Sequence, residues 1–354
     1  MLKTKRYLAM GACAAFCAAS AATGAHAQAP LASSVPPVVD DNPASAAWPR
    51  ALLPDTQSFV IESGAEGLRY RIWLYLPRAA PAAREPPQAP GETRRAATQD
   101  AAPPLLVLLD GNATFALAVS AARLQQRVIG PVMIAAIAAN NDTLFDESQR
   151  FRDYTTPSPD GWGVPRDARG VPLATGGAPA FEALLNERLP AAIAQRTGRS
   201  PARKMLFGHS LGGFLVLHDA LSHPGAYSRY MAASPSLWWS GAELVAQVKA
   251  DARAATARAT GRPAVALAIR LGGDEQRLAA DASAARIERV THAAMLDNAR
   301  TFAQVVNQAP ALGFDVDLQV YAGQNHVSYL PAAISEAVAL AAAPETVDVK
   351  RPER

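Results

Sequence analysis

Met205-Leu206-Phe207-Gly208-His209-Ser210-Leu211-Gly212-Gly213 decides how the rest of the chain is read. An apolar run climbs to Gly208, a serine stands between two glycines, and a second apolar run follows. Strand, sharp turn and helix in that order give the G-x-S-x-G pattern of a nucleophile elbow. Glycine suits positions 208 and 212 because a side chain there would crowd the adjoining strand and helix. The helix after Ser210 aims free backbone N–H groups at the serine hydroxyl, which favours a developing oxyanion. Ser210 is therefore the candidate nucleophile.

The segments on either side predict a sheet around this turn. Phe59–Ser63 and Leu68–Pro77, separated by Gly64 and Gly67, read as an antiparallel hairpin. Leu105–Asp110 is a short continuous apolar run, the mark of a strand buried on both faces. Residues 113–126 read as a helix and 131–138 as a second buried strand. Beyond the elbow, strands at 230–234, 264–271 and 314–321 alternate with helices at 211–222, 242–257 and 330–343. A long helical region at 277–308 completes the pattern, and a helix at 181–196 is expected to bend near Pro190. Such alternation implies an α/β fold: a mostly parallel central sheet with helices on both faces and an antiparallel N-terminal hairpin. The polar stretch 140–177 would then lie at the strands' C-terminal edge, where such sheets bind ligands.

With 354 residues, nearly half of them apolar, the chain can bury one large core. The first 27 residues fall outside that core. They combine a basic start, an alanine-rich apolar run and an Ala25-His26-Ala27 site, and read as a signal peptide. Residues 28–54 read as a Pro/Ala-rich leader, 55–345 as a single catalytic domain with an inserted surface loop at 79–104, and 346–354 as a polar tail. Removing Lys3, Lys5 and Arg6 brings the net charge from +3 to near zero, which argues against nucleic acid or a membrane surface as partner. Both cysteines, Cys13 and Cys17, leave with the signal, so no disulfide is expected in a periplasmic or secreted product.

A serine nucleophile needs a base, and the base needs a group that fixes its tautomer. In this kind of sheet the expected chain order is serine, acid, histidine, each in a loop after a strand. His326 follows the last strand and fits the base. His209, His218, His223 and His292 read as packing or surface histidines, with His209 directed away from the site. Glu275 and Asp274 both end the strand after the elbow strand's neighbour, and either fits the acid; with neither in place, a dyad of Ser210 and His326 would have to suffice. Leu211 and one of Gly111 and Asn112 would donate the two N–H groups of an oxyanion hole. Arg150, Arg152 and Tyr154 in the long polar stretch suit an anionic or aromatic ligand, and at least one of Trp238 and Trp239 is expected near the site. No CxxC, H-E-x-x-H or phosphate loop occurs, so no cofactor or metal is implied.

Seven pieces of the chain occur in a familiar order: Tyr70–Pro77 (YRIWLYLP), Leu105–Phe115 (LLVLLDGNATF), Arg150–Pro159 (RFRDYTTPSP), Gly208–Leu215 (GHSLGGFL), Ser234–Trp239 (SPSLWW), Leu271–Gln276 (LGGDEQ) and Gly323–Pro331 (GQNHVSYLP). On these the chain resembles the putative-esterase family of α/β-hydrolases, and within it the periplasmic enterobactin/salmochelin trilactone esterases. The resemblance implies the α/β-hydrolase fold, Ser210 as nucleophile, His326 as base and Glu275 in preference to Asp274 as acid. It places Arg150 and Arg152 where relatives contact catecholate siderophores. The implied activity is a serine ester hydrolase that opens the trilactone of a ferric or metal-free catecholate siderophore. A general carboxylesterase of feruloyl or acetyl type, and a hydrolase-fold protein that only binds siderophore, are the alternatives.

Overall fold

The computed structural model describes residues 53–63, 67–78, 102–158, 161–255 and 265–344. The expected signal peptide, nearly all of the leader, most of the 79–104 insertion and the tail lie outside the described residues.

Eight strands form one sheet in the order β1-β2-β4-β3-β5-β6-β7-β8. The hairpin is β1 (Thr56–Ser63) and β2 (Leu68–Tyr75), and β2 runs antiparallel to β4 (Met133–Ala139). All later neighbours are parallel: β3 (Leu105–Leu108), β5 (Lys204–His209), β6 (Arg229–Ala233), β7 (Val265–Gly272) and β8 (Phe314–Tyr321). Alternate residues of the buried strands feed two cores. Leu105, Val107 and Leu109 face one core with Phe214, Leu215 and Phe302. Leu106 and Leu108 face the other with Phe115, Val119, Ile334 and Val338. The first core is covered by α3 (Ala178–Ala183), α4 (Leu189–Thr197), α5 (Leu211–Ser222), α6 (Trp239–Ala255) and α8 (Met295–Asn307), the second by α1 (Gly111–Ile129) and α9 (Leu330–Ala342).

From β3 the chain moves outward to β4 and then returns to β5 on the opposite side of β3. Strand order therefore reverses between β3 and β5, and a crevice opens at their C-terminal ends, where ligands bind in such sheets. Gly111 after β3 and Ser210 after β5 flank that crevice.

Three expected elements differ. The run around Arg150 is helical, as α2 (Glu147–Asp153), with Asp146 accepting a cap bond from the Gln149 N–H at 2.8 Å. The expected bent helix at 181–196 is α3 and α4 joined by a π turn, Leu184–Arg188. Pro190 lies in the first turn of α4, where a missing N–H costs nothing, and the widened turn absorbs the change of path. The long helical region is two helices, α7 (Ala284–Ala293) and α8, joined at Ala294 in the left-handed conformation (φ 40°). No described helix is long and apolar enough to cross a membrane.

Candidate active site

Ser210 sits where β5 ends and α5 begins, with φ 61° and ψ −117°. A non-glycine residue held there stores on the order of 1–3 kcal/mol, and such strain persists only where the surroundings impose it. They do so by close approach: a Cβ on Gly208 would lie 2.3 Å from the Gly212 carbonyl oxygen. The Ser210 N–H is tied to the Ala233 carbonyl at 2.9 Å, and the Ser210 carbonyl accepts from Ser236 N–H at 3.0 Å. The Ser210 and Ser236 hydroxyls are 3.3 Å apart.

His326 lies in the loop after β8. Its Nδ1 is 2.8 Å from Glu275 Oε2. A carboxylate only accepts, so Nδ1 carries the proton and Nε2 is left as the acceptor. The His326 ring and Ser210 line one cavity of about 640 Å³, together with Ser236, Trp162, Trp238 and Glu275. Ser210 and His326 make no direct hydrogen bond in this structure. Catalytic hydrogen bonds are commonly long without substrate and tighten when it binds.

Glu275 is held on every side. Its Oε1 accepts from the Gly272 N–H at 2.6 Å and from the Ser234 hydroxyl. The Ser234 hydroxyl in turn accepts from Tyr329 Oη at 2.6 Å, and the Arg270 carbonyl lies 3.1 Å from the same phenol oxygen. The His326 loop packs against Gly272, where a Cβ would stand 2.6 Å from the carbonyls of Gln324 and Asn325. Asp274 instead points to the Arg277 guanidinium at 3.3 Å, and its side chain is about one-third exposed (31%). Of the two acid candidates, the structure brings only Glu275 to the histidine.

His209 is not a bystander. Its Nε2 donates to the His326 carbonyl at 2.7 Å, and the two rings are 4.6 Å apart. Burial drives its pKa down to about 3, and the neighbouring His326 charge acts in the same direction. It stays a neutral prop beneath the loop that carries His326.

Arg150, Arg152 and Tyr154 do not face the cavity. Arg150 lies beneath the elbow, its Nε donating to Asp110 Oδ1 at 3.0 Å and its Nη2 to the His209 carbonyl at 3.0 Å. Arg152 is engaged by Asp153 at 2.7 and 2.8 Å, and Asp153 also accepts from Tyr70 at 2.8 Å. Tyr154 is fully buried, and its hydroxyl accepts from the Asp110 N–H at 3.3 Å. Burial pushes the Asp110 carboxyl upward, and Arg150 opposes that. The helical turn of α2, invisible in the sequence reading, rotates these side chains into the scaffold. Of the tryptophans, Trp238 lines the cavity, while Trp239 is buried with Nε1 donating to the Thr156 carbonyl at 3.1 Å.

Leu211 opens α5, so its N–H has no partner within the helix. Gly111 opens α1 in the same way at the end of β3. The Asn112 side chain is committed elsewhere: it accepts from Trp73 Nε1 at 3.0 Å and donates to the Asn141 carbonyl at 2.8 Å. Four residues that carry the site went unassigned in the sequence reading: Ser234, Ser236, Trp162 and Tyr329. Ser234-Pro235-Ser236 stood at a strand end in the quoted motif, which was the available signal.

A second polar cluster lies away from the crevice. Glu182, Asp219 and His223 place three ligand-type atoms within 4.8 Å of one another. His218 Nδ1 meets Glu182 at 2.5 Å, and Asn186 and Tyr230 donate to Asp219 at 2.7 and 3.2 Å, so the buried carboxylates are compensated internally.

The family described as "Putative esterase" matches residues 94–339, more than two-thirds of the chain. The chain belongs to this esterase family. Among its relatives, this esterase is 27% identical over 306 residues to the ferri-bacillibactin esterase BesA of Bacillus subtilis, spanning 83% of the chain and 91% of BesA. It is 27% identical over 248 residues to the siderophore triacetylfusarinine C esterase of Aspergillus fumigatus, spanning 67% and 80%. The fold matches that of the siderophore hydrolase EstB from Aspergillus nidulans with a TM-score of 0.64 at 24% identity, covering 83% of this chain and 97% of EstB. The esterase thus has the α/β-hydrolase fold that its motifs implied, and it is an ester hydrolase.

Proposed function

We propose that this esterase opens the trilactone ester bonds of a catecholate siderophore, with Ser210 as nucleophile, His326 as general base and Glu275 as the group that orients His326. The observation that carries the mechanism is the Glu275–His326 hydrogen bond in the cavity that also holds the strained Ser210. The names of the relatives, esterases of ferri-bacillibactin and triacetylfusarinine C, support the substrate class.

In the first half-reaction Ser210 Oγ attacks the ester carbonyl carbon and passes its proton to His326 Nε2. Negative charge on the carbonyl oxygen is met by the Leu211 N–H and by that of Gly111 or Asn112. The C–O bond then breaks, and the departing alkoxide takes the proton from His326. In the second half-reaction His326 deprotonates a water, which attacks the acyl-enzyme carbonyl; as the Ser210 Oγ–C bond breaks, His326 returns its proton to Ser210 Oγ, and the carboxylic acid released ionises in solvent. Iron enters only as cargo of the substrate. Residues 1–27 direct export, so the mature chain begins at Gln28 and works in the periplasm or outside the cell.

The test is Ser210→Ala. It should fold normally, lose about 10³-fold or more in hydrolysis of 4-nitrophenyl esters and of ferric trilactone, and escape labelling by a fluorophosphonate that labels the unmodified protein. An unchanged rate overturns the mechanism. Product analysis by mass spectrometry, comparing trilactone with feruloyl and acetyl sugar esters, overturns the substrate assignment if the sugar esters are preferred.

A further inference from the structure

Helix α7 has no buried residue; it joins the core-packed α8 at Ala294, and Asn298 of α8 donates to the Ala293 carbonyl at 3.1 Å. Packing of one face supplies most of a helix's stability in proteins, and α7 has little of it. The inner face of α7 nonetheless closes the cavity that holds Ser210 and His326, with Arg286, Glu288 and Arg289 among the lining residues. Neither guanidinium forms an ion pair with a described residue, and both side chains are exposed. The facing wall is aromatic. Trp162 and Trp238 meet edge to face at 5.0 Å, and His292 of α7 stacks on Trp162 at 3.6 Å.

A guanidinium has two strong modes of contact: a fork of N–H donors toward paired anionic oxygens, and a flat face against a ring. A cavity whose lining holds two guanidinium groups free of ion pairs and the Trp238 ring, with Trp162 braced by His292, offers both kinds of contact to one planar anion. We infer that Arg286 and Arg289 are specificity-determining residues of this esterase, reading an anionic aromatic ring of the ester substrate against Trp162 and Trp238. The inference rests on the esterase reading of the same cavity. Glu288, on the same lining face, opposes the two arginines and limits how much negative charge the cleft accepts.

A matched pair of esters isolates the effect: 4-acetoxybenzoate, anionic, and 4-acetoxybenzamide, neutral. The quantity read is the ratio of their kcat/KM values. A charge-assisted hydrogen bond is worth enough that R286Q/R289Q should lower this ratio about tenfold or more, through KM for the anion. E288Q should raise it about two-fold or more, and 0.5 M salt should shrink the ratio of the unmodified protein. Since α7 buries nothing, the variants should melt where the unmodified protein does. A ratio within two-fold of the unmodified protein in R286Q/R289Q overturns the inference. If the unmodified protein cleaves neither ester, the esterase reading of the cavity fails on its own. Tryptophan fluorescence titration with 4-hydroxybenzoate and 4-hydroxybenzamide then still decides the inference: loss of the preference for the anion in R286Q/R289Q supports it, and an unchanged preference overturns it.

Discussion

Two pairs of arginines flank the same crevice and have opposite fates. Arg150 and Arg152, on α2 beneath the elbow, are paired with Asp110 and Asp153, whose side chains are each 4% exposed. Arg286 and Arg289, on α7 above it, are exposed and make no ion pair with a described residue. In the floor both guanidinium groups are engaged by carboxylates, with only Asp110 Oδ2 and Gln149 Nε2 there left buried without a partner, so its cations hold the elbow in place. The roof has the reverse character, with donors in reach of the cavity and no partner. A charged residue recognises a ligand only to the extent that the fold leaves it uncommitted. The contrast assigns stability and turnover to the floor, and choice of substrate to the roof.

The sharpest way to break that division is Glu275→Gln. Glutamine keeps the shape but cannot hold the Nδ1 proton of His326 as a carboxylate does, and the wrong tautomer then faces Ser210. The expected loss is up to about 10⁴-fold in kcat with KM little changed. Steady-state kinetics on a 4-nitrophenyl ester measures it. A loss confined to KM would make Glu275 a binding group of the cavity wall rather than the group that orients His326. The Ser234 hydroxyl and the Gly272 N–H would still orient the amide, so the fold should survive the change.

Next in size is Arg150→Ala. Removal of the guanidinium leaves the Asp110 carboxylate buried and unpaired, which costs about 3–5 kcal/mol when one partner of a buried pair is deleted. It also frees the His209 carbonyl at the foot of the elbow. Urea unfolding should show the loss, and lysine should not restore it, because one ammonium cannot reach Asp110 and His209 with the fork's geometry. If Arg150→Ala instead melts like the unmodified protein and raises KM, the floor is a ligand wall after all, and the comparison of the two arginine pairs collapses.

The sequence made the floor's backbone legible and its side chains only partly so. Buried strands announce themselves because continuous apolar runs such as Leu105–Leu109 and Met205–Phe207 are local properties of the chain. That Ser210, Glu275 and His326 meet at one cavity was readable because each stands just past a strand, and parallel strands deliver their ends to one edge. Arg150 and Arg152 were misplaced for a different reason. Whether a side chain faces ligand or scaffold depends on the rotation of α2 against β3 and β5, and seven residues carry no period strong enough to reveal it. The role of α7 was hidden by its amphipathic pattern, which continues smoothly into α8. Only the left-handed break at Ala294 separates a helix that packs from one that does not, and alanine is not a residue that signals such a break.

The smallest effect concerns the coupling between the floor and the catalytic loop, through His209. Its pKa in the folded protein, about 3, lies well below the ordinary value near 6.5. Between those two values the unfolded chain binds a proton at this position and the folded one does not, so stability falls as pH drops through the window and is unaffected by this group above about 6.5. The slope is on the order of 1 kcal/mol per pH unit. His218 works in the opposite sense: burial disfavours its charge, but Glu182 outweighs that and holds its pKa above the usual value, so its contribution is lost as pH rises. A pH curve of the protein alone therefore mixes these two with Asp219, whose carboxyl is pushed up to about 6 by burial. His209→Gln separates them, since an amide N–H can still donate toward the His326 carbonyl but does not titrate, while His218 remains in both proteins. Urea unfolding at pH 7, 6 and 5 should find the variant losing less stability than the unmodified protein with each step down. Parallel curves would mean that His209 reaches solvent and takes up its proton in the folded state, and the floor would then be less sealed than its hydrogen bonds make it.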